Sequence, residues 1–164
     1  RLVDIGVDSL KIEGRTKSPY YVARTCQAYR QAIDDALAGK PLNPRLLAEL
    51  DGLANRGYTD GFYQRHHDAD YQNYLYGSSK SGRSLYVGNV RCYGDDGLAE
   101  IEVMNRFSVG DRLEIIHPDG NLDITLDVMQ TREGKATDVA PGNGHYVRIP
   151  LPPGFEKAFV ARYA

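Results

Sequence analysis

Five residues near the start of the chain, Lys11-Ile12-Glu13-Gly14-Arg15, concentrate three charged groups around one glycine. If the run is a strand, Lys11 and Glu13 at i, i+2 share a face and form an ion pair or a general acid–base pair. Arg15 follows at the turn, where its planar fork suits a carboxylate or a phosphate. At the carboxyl end of an α/β-barrel strand these groups would face the active site, so all three are candidate catalytic residues. The bland reading is a salt-bridged layer at the barrel rim. Ile12 to Arg15 also spells a common engineered protease-cleavage tag, but the tetrapeptide sits inside an unbroken strand–turn–helix pattern.

A second candidate group could bind substrate. Tyr58, Thr59 and Phe62 belong to an aromatic, glycine-flanked loop whose ring faces and hydroxyls suit a pocket or a base. The alternative is a loop that packs against the barrel. Lys80, Arg83 and Arg91 form a local basic patch. His66-His67-Asp68 resembles a metal cluster only superficially, because adjacent side chains point apart. His117 reads as a hairpin-tip residue, and no nucleophile–base arrangement is recognisable.

The elements that must position these residues follow from period and punctuation. Ser9 to Glu13 puts Leu10 and Ile12 on one face, which predicts a short strand. Ser18-Pro19 is a helix start, followed by a stripe of Tyr21, Val22, Cys26, Tyr29, Ile33, Ala36 and Leu37, and Gly39 and Pro41 end it. Asn43-Pro44 starts a second helix with Leu46, Leu47, Leu50 and Leu53, ending near Gly57. Beyond residue 84 the period becomes two. Strands are expected at 85–87, 99–103, 112–116, 124–128 and 145–149, with turns at 94–97, 117–120 and 141–144. Such spacing predicts a small closed antiparallel barrel.

The fold class expected is α+β: residues 1–63 as the terminal strand and helical hairpin of a truncated α/β barrel, 64–84 as a linker, and 85–164 as a small antiparallel β-barrel. The 164 residues suffice for two small domains but not for a whole α/β barrel. Opening at Arg1 directly into an apolar stretch suggests that upstream sequence has been cut away. The orphan strand would then offer its edge to a second copy, giving a dimer.

A net charge of −2 excludes nucleic-acid binding by bulk electrostatics alone, although the first 30 residues carry six basic groups against three acidic ones. No apolar run is long enough to span a bilayer, so a cytoplasmic protein without membrane contact is expected. Cys26 and Cys92 have no Cys or His neighbours at metal-ligand spacing, so no metal site is expected.

From Val7 through Lys11-Ile12-Glu13-Gly14-Arg15 to Ala23, and again at Ala32 to Ala36 and Asn55 to Phe62, the sequence resembles the collagenase-like peptidase family, peptidase family U-thirty-two, and especially its tRNA-hydroxylation branch. The downstream part looks like that family's appended β-barrel. Phe107 to Ile115 is also similar to the second-domain barrels of elongation factors. The resemblance implies an upstream α/β barrel and an enzyme that 5-hydroxylates the wobble uridine of tRNA, with tRNA as partner of the full-length protein. An iron–sulfur cluster would lie on cysteines before Arg1, with no cofactor in this segment. The fragment itself would be auxiliary and inactive alone. The family name implies the alternative, a collagenase-like protease. A third reading makes residues 85–164 a protein or RNA interaction module.

Overall fold

The computed structural model describes residues 2–53 and 84–163. The chain divides into two compact units, Arg1–Gly82 and Arg83–Ala164. The expected linker falls, but for Ser84, outside the described residues.

In the first unit helix α1 spans Pro19–Leu37 and α2 spans Pro44–Asp51. Both begin as the sequence demands. Ser18 accepts a hydrogen bond from the Tyr21 amide and Asn43 accepts one from the Arg45 amide, each ahead of a proline that needs no donor. Gly39, at φ 70°, ends α1 by letting the Gly39 amide reach the Ala36 carbonyl and the Lys40 amide the Asp35 carbonyl.

The buried face of α1 differs from the expected stripe. Tyr20, Arg24, Thr25 and Ala28 are buried, at spacings of four, one and three, while Cys26, Tyr29 and Leu37 are exposed. Apolar residues lie on two sides of this helix, so periodicity alone could not say which side its partner α2, with Leu46 buried, would cover.

A second correction concerns residues 9–13, which form no strand. Residues 7–14 are irregular and Leu10 is 39% exposed. A strand exists through its ladder, and no described segment pairs with this one.

Among its described residues the second unit holds nine strands: β1 Ser84–Tyr93, β2 Leu98–Val103, β3 Phe107–Ser108, β4 Arg112–Ile116, β5 Leu122–Thr125, β6 Gln130–Thr131, β7 Val139–Ala140, β8 His145–Pro150 and β9 Phe159–Tyr163. Seven form one antiparallel sheet in the order β5-β4-β9-β1-β2-β8-β6, and β3 pairs with β7. The sheet curls as a half-barrel rather than closing by a continuous ladder: β5 and β6 remain its edges among the described residues. Register shifts in β1 between Tyr86 and Gly88, and between Val90 and Cys92, mark the bulges that bend it.

Alternation sets the core. In β2, Ala99, Ile101 and Val103 are fully buried, and from β8 Val147 and Ile149 join them. The small β3–β7 sheet adds Phe107 and Ala140, both at zero exposure, to the same core. The expected strand 124–128 instead leaves the ladder at Leu126, which is buried while its amide donates to the Asp111 carbonyl. Val128 is left 58% exposed.

Candidate functional site

The N-terminal charged cluster sits on a turn ahead of α1. The Lys17 amide donates to the Gly14 carbonyl at 2.9 Å, closing Gly14-Arg15-Thr16-Lys17 into a loop. Lys11 Nζ lies 3.6 Å from Glu13 Oε2, with the two side chains 85% and 63% exposed. These two are thus brought together, in solvent. An exposed pair of this kind contributes little to stability. Arg15 is exposed and makes no ion pair among the described residues. Lys17 stacks its ammonium over the Tyr21 ring at 4.8 Å. Gly14 packs so tightly on α1 that a Cβ there would stand 2.6 Å from Val22 Cγ2.

Of the substrate-binding candidates, Tyr58, Thr59, Phe62, Lys80 and Arg83 lie outside the described residues, as do His66 and His67. Arg91 is on β1, where its Nη1 lies 3.7 Å from Glu102 Oε2. His117, beside β4, faces Asp119 at 3.6 Å and the ring of Phe155 at 5.7 Å, which suits a hairpin-tip role.

Sequence reading does not single out the polar surface of the second unit, because its members come from strands far apart in the chain. Tyr86 donates to Asn89 Oδ1 at 2.6 Å, and Asn89 donates to Glu102 Oε2 at 3.0 Å. Burial lifts the Tyr86 phenol above its ordinary pKa. Farther along the sheet Arg112 lies 4.7 Å over the Tyr163 ring and 3.0 Å from Asp123. Tyr163 also donates to Asp123, at 2.9 Å. Partial burial first, then the hydrogen bond to that carboxylate, holds the Tyr163 phenol at a pKa of about 12.

Of the described arginines of this unit, five lie beside carboxylates: Arg91 by Glu102, Arg112 by Asp123, Arg132 by Glu100, Arg148 by Asp96 and Arg162 by Asp111. Ten basic residues face twelve acidic ones between Lys80 and Ala164. Much of this surface is internally neutralised, which leaves Arg106, Lys135 and Lys157 as the described cations outside any ion pair, few for releasing counterions from a phosphate backbone. Buried Arg24 on α1 is a further residue that no pattern of types or spacing separates from its solvent-facing neighbours.

Residues 1–73 match the family described as Peptidase family U32, and residues 83–162 match the Peptidase family U32 C-terminal domain. The chain belongs to peptidase family U32. It is 54% identical over 95% of its length to tRNA hydroxylation protein P of Escherichia coli, covering 34% of that protein. Against tRNA hydroxylation protein P of Haemophilus influenzae the identity is 48% over 93% of this chain and 33% of that protein. A protein named Collagenase from Porphyromonas gingivalis is 29% identical over 92% of this chain and 37% of its own length. Among solved structures, the C-terminal domain of a family member from Geobacillus thermoleovorans matches at a TM-score of 0.43 and 21% identity, covering 48% of this chain and 98% of its own. The chain therefore spans about a third of the length of the curated relatives it matches.

No helix among the described residues is long and apolar enough to cross a membrane. The residues present do not suit an iron–sulfur cluster, which takes about four thiolate ligands. Cys26, on α1, and Cys92, on β1, are both exposed and belong to separate units, so this chain offers no such donor set.

Proposed function

We propose that the full-length protein modifies tRNA in the cytoplasm, by 5-hydroxylation of the wobble uridine, and that this chain is an auxiliary part of it, inactive alone. The observation that carries this reading is 54% identity, over 95% of the chain, to tRNA hydroxylation protein P. Identity to the Collagenase relative is 29%, so the protease reading ranks below it.

In this reading residues 9–13 become the last strand of an α/β barrel supplied mostly by upstream sequence. Ile5 at 72% exposure, with Leu2, Val3, Val7 and Leu10 near 40%, is the apolar surface such neighbours would cover. Lys11, Glu13 and Arg15 would then face the lumen, and their exposed positions here fit groups whose surroundings lie in other strands. Any cluster belongs to upstream cysteines. The same unpaired backbone could recruit a second copy, which sedimentation of the chain tests. The excess of acidic over basic residues in the second unit favours a spacer or protein-docking role over gripping tRNA, and its Val109-Gly110-Asp111 turn fits a barrel like the elongation-factor second domains.

The test is complementation. Cells lacking the full-length gene receive it back with Arg15→Ala, and 5-hydroxyuridine in tRNA is measured. Loss of the modification is expected; full restoration removes Arg15 from the mechanism.

A further inference from the structure

We infer that Gly14 is a positioning residue for the charged cluster, acting through its contact with Val22 on α1. The inference rests on the proposed role of Arg15, and it explains how that side chain is aimed. Gly14 has no positive φ, so its backbone conformation is open to any residue. What requires glycine is space: a Cβ would stand 2.6 Å from Val22 Cγ2 and 3.9 Å from Val22 Cβ.

Val22 cannot easily yield. It is half-buried in the first turn of α1, and a β-branched side chain in a helix has one strongly preferred χ1 rotamer. Its backbone is fixed too, because its amide donates to the Ser18 carbonyl at 3.2 Å, beside the Ser18 cap on Tyr21. The strain of an added methyl therefore passes to the loop Gly14-Arg15-Thr16-Lys17, which is held at its ends by the 2.9 Å hydrogen bond between Gly14 and Lys17. Moving that loop displaces Arg15, which lies within it. Gly14 thus sets where the Arg15 backbone sits while touching neither substrate nor reacting atoms.

The experiment uses the full-length protein in cells lacking its gene, reading 5-hydroxyuridine in tRNA, with thermal unfolding of the purified protein alongside. Gly14→Ala is expected to reduce modification roughly tenfold or more, since a displacement near 1 Å of a positioned group can cost that much. Val22→Ala removes the obstructing methyl and is expected to leave activity within about threefold of wild type, a change too small for a misplaced group. The double variant Gly14→Ala with Val22→Ala is expected to recover most of the loss, which a general folding defect at Gly14 would not do. Gly14→Ala with Cys26→Ala, altered at an exposed site one turn further along, should recover nothing. Should Gly14→Ala fail to fold, Val22→Ile crowds the same turn from the other side and is expected to lower activity with unfolding temperature unchanged. Undiminished modification by Gly14→Ala, or a double variant as inactive as the single one, overturns the inference. Rescue by Val22→Ala together with full activity of Arg15→Ala upholds the contact but sinks the assignment of the site it serves.

Discussion

Gly88 gives the sharpest stability prediction, because its need for glycine is steric and can be sized. It lies in β1 at the bulge where the register against β9 shifts, and it pairs with Val103 of β2. A Cβ at Gly88 would stand 2.6 Å from the Glu102 carbonyl oxygen and 2.8 Å from Ile101 Cγ2, against the 3.4 Å where ordinary contact begins. One obstruction is backbone and the other is a fully buried side chain, so neither swings away. Relief means shifting β2 against β1 by roughly 0.6–0.8 Å in a core packed to crystal-like density. Overpacking of this kind costs about 1–3 kcal/mol. The replacement regains about 0.4–1 kcal/mol by stiffening the unfolded chain. We therefore expect Gly88→Ala to destabilise the second unit by about 1.3 kcal/mol, a fall in Tm of roughly 5–10 °C for a domain of this size. Scanning calorimetry of the 164-residue chain reads it directly. A Tm unchanged within 2 °C would refute the reasoning, because it would mean that β1 and β2 can part at the bulge without loss.

Two further outcomes follow from the second unit. Tyr163 keeps its proton in the fold up to about pH 12. In the unfolded chain it titrates near 10. Its contribution is therefore complete below pH 10 and declines as pH rises through 12. Urea midpoints should fall between pH 10 and 12, and less steeply in Tyr163→Phe; Tyr86 and Tyr93, whose phenols burial also raises, retain a residual slope in that variant. Equal slopes in the two proteins would mean that neither burial nor the bond to Asp123 holds the proton. For Arg91, pairing with Glu102 implies no phosphate contact. In the full-length protein Arg91→Ala should leave the salt slope of tRNA binding unchanged, whereas a decrease of about 0.7–0.9 would show that it does touch one.

The cluster was legible in the sequence because it is local. Three charges around one glycine need no fold to be noticed, and the structure keeps Lys11 and Glu13 within 3.6 Å. The reason for the glycine was not legible: it lies in Val22, eight residues on, and only the return of α1 against the turn shows it. The network of Tyr86, Asn89 and Glu102, and the meeting of Arg112 with Asp123 and Tyr163, were equally hidden, since cross-strand neighbours are set by register.

Strands show the same division between local and relational signals. Residues 9–13 carry an alternating pattern and yet form no strand, whereas Phe159-Val160-Ala161-Arg162-Tyr163 lacks a clean alternation and is the strand that joins β4 to β1. Val160 and Ala161 are both fully buried, on successive positions and hence on opposite faces. Alternation marks a strand with one wet face; β9 is covered on both sides there, so its sequence could not alternate. Pairing decides the matter. β9 has ladders on both edges, to β1 through Tyr86 and Ala161 and to β4 through Ile115 and Val160. Residues 9–13 have none among the described residues, and with Leu10 and Ile5 left in solvent their pattern becomes structure only when another strand arrives to accept it.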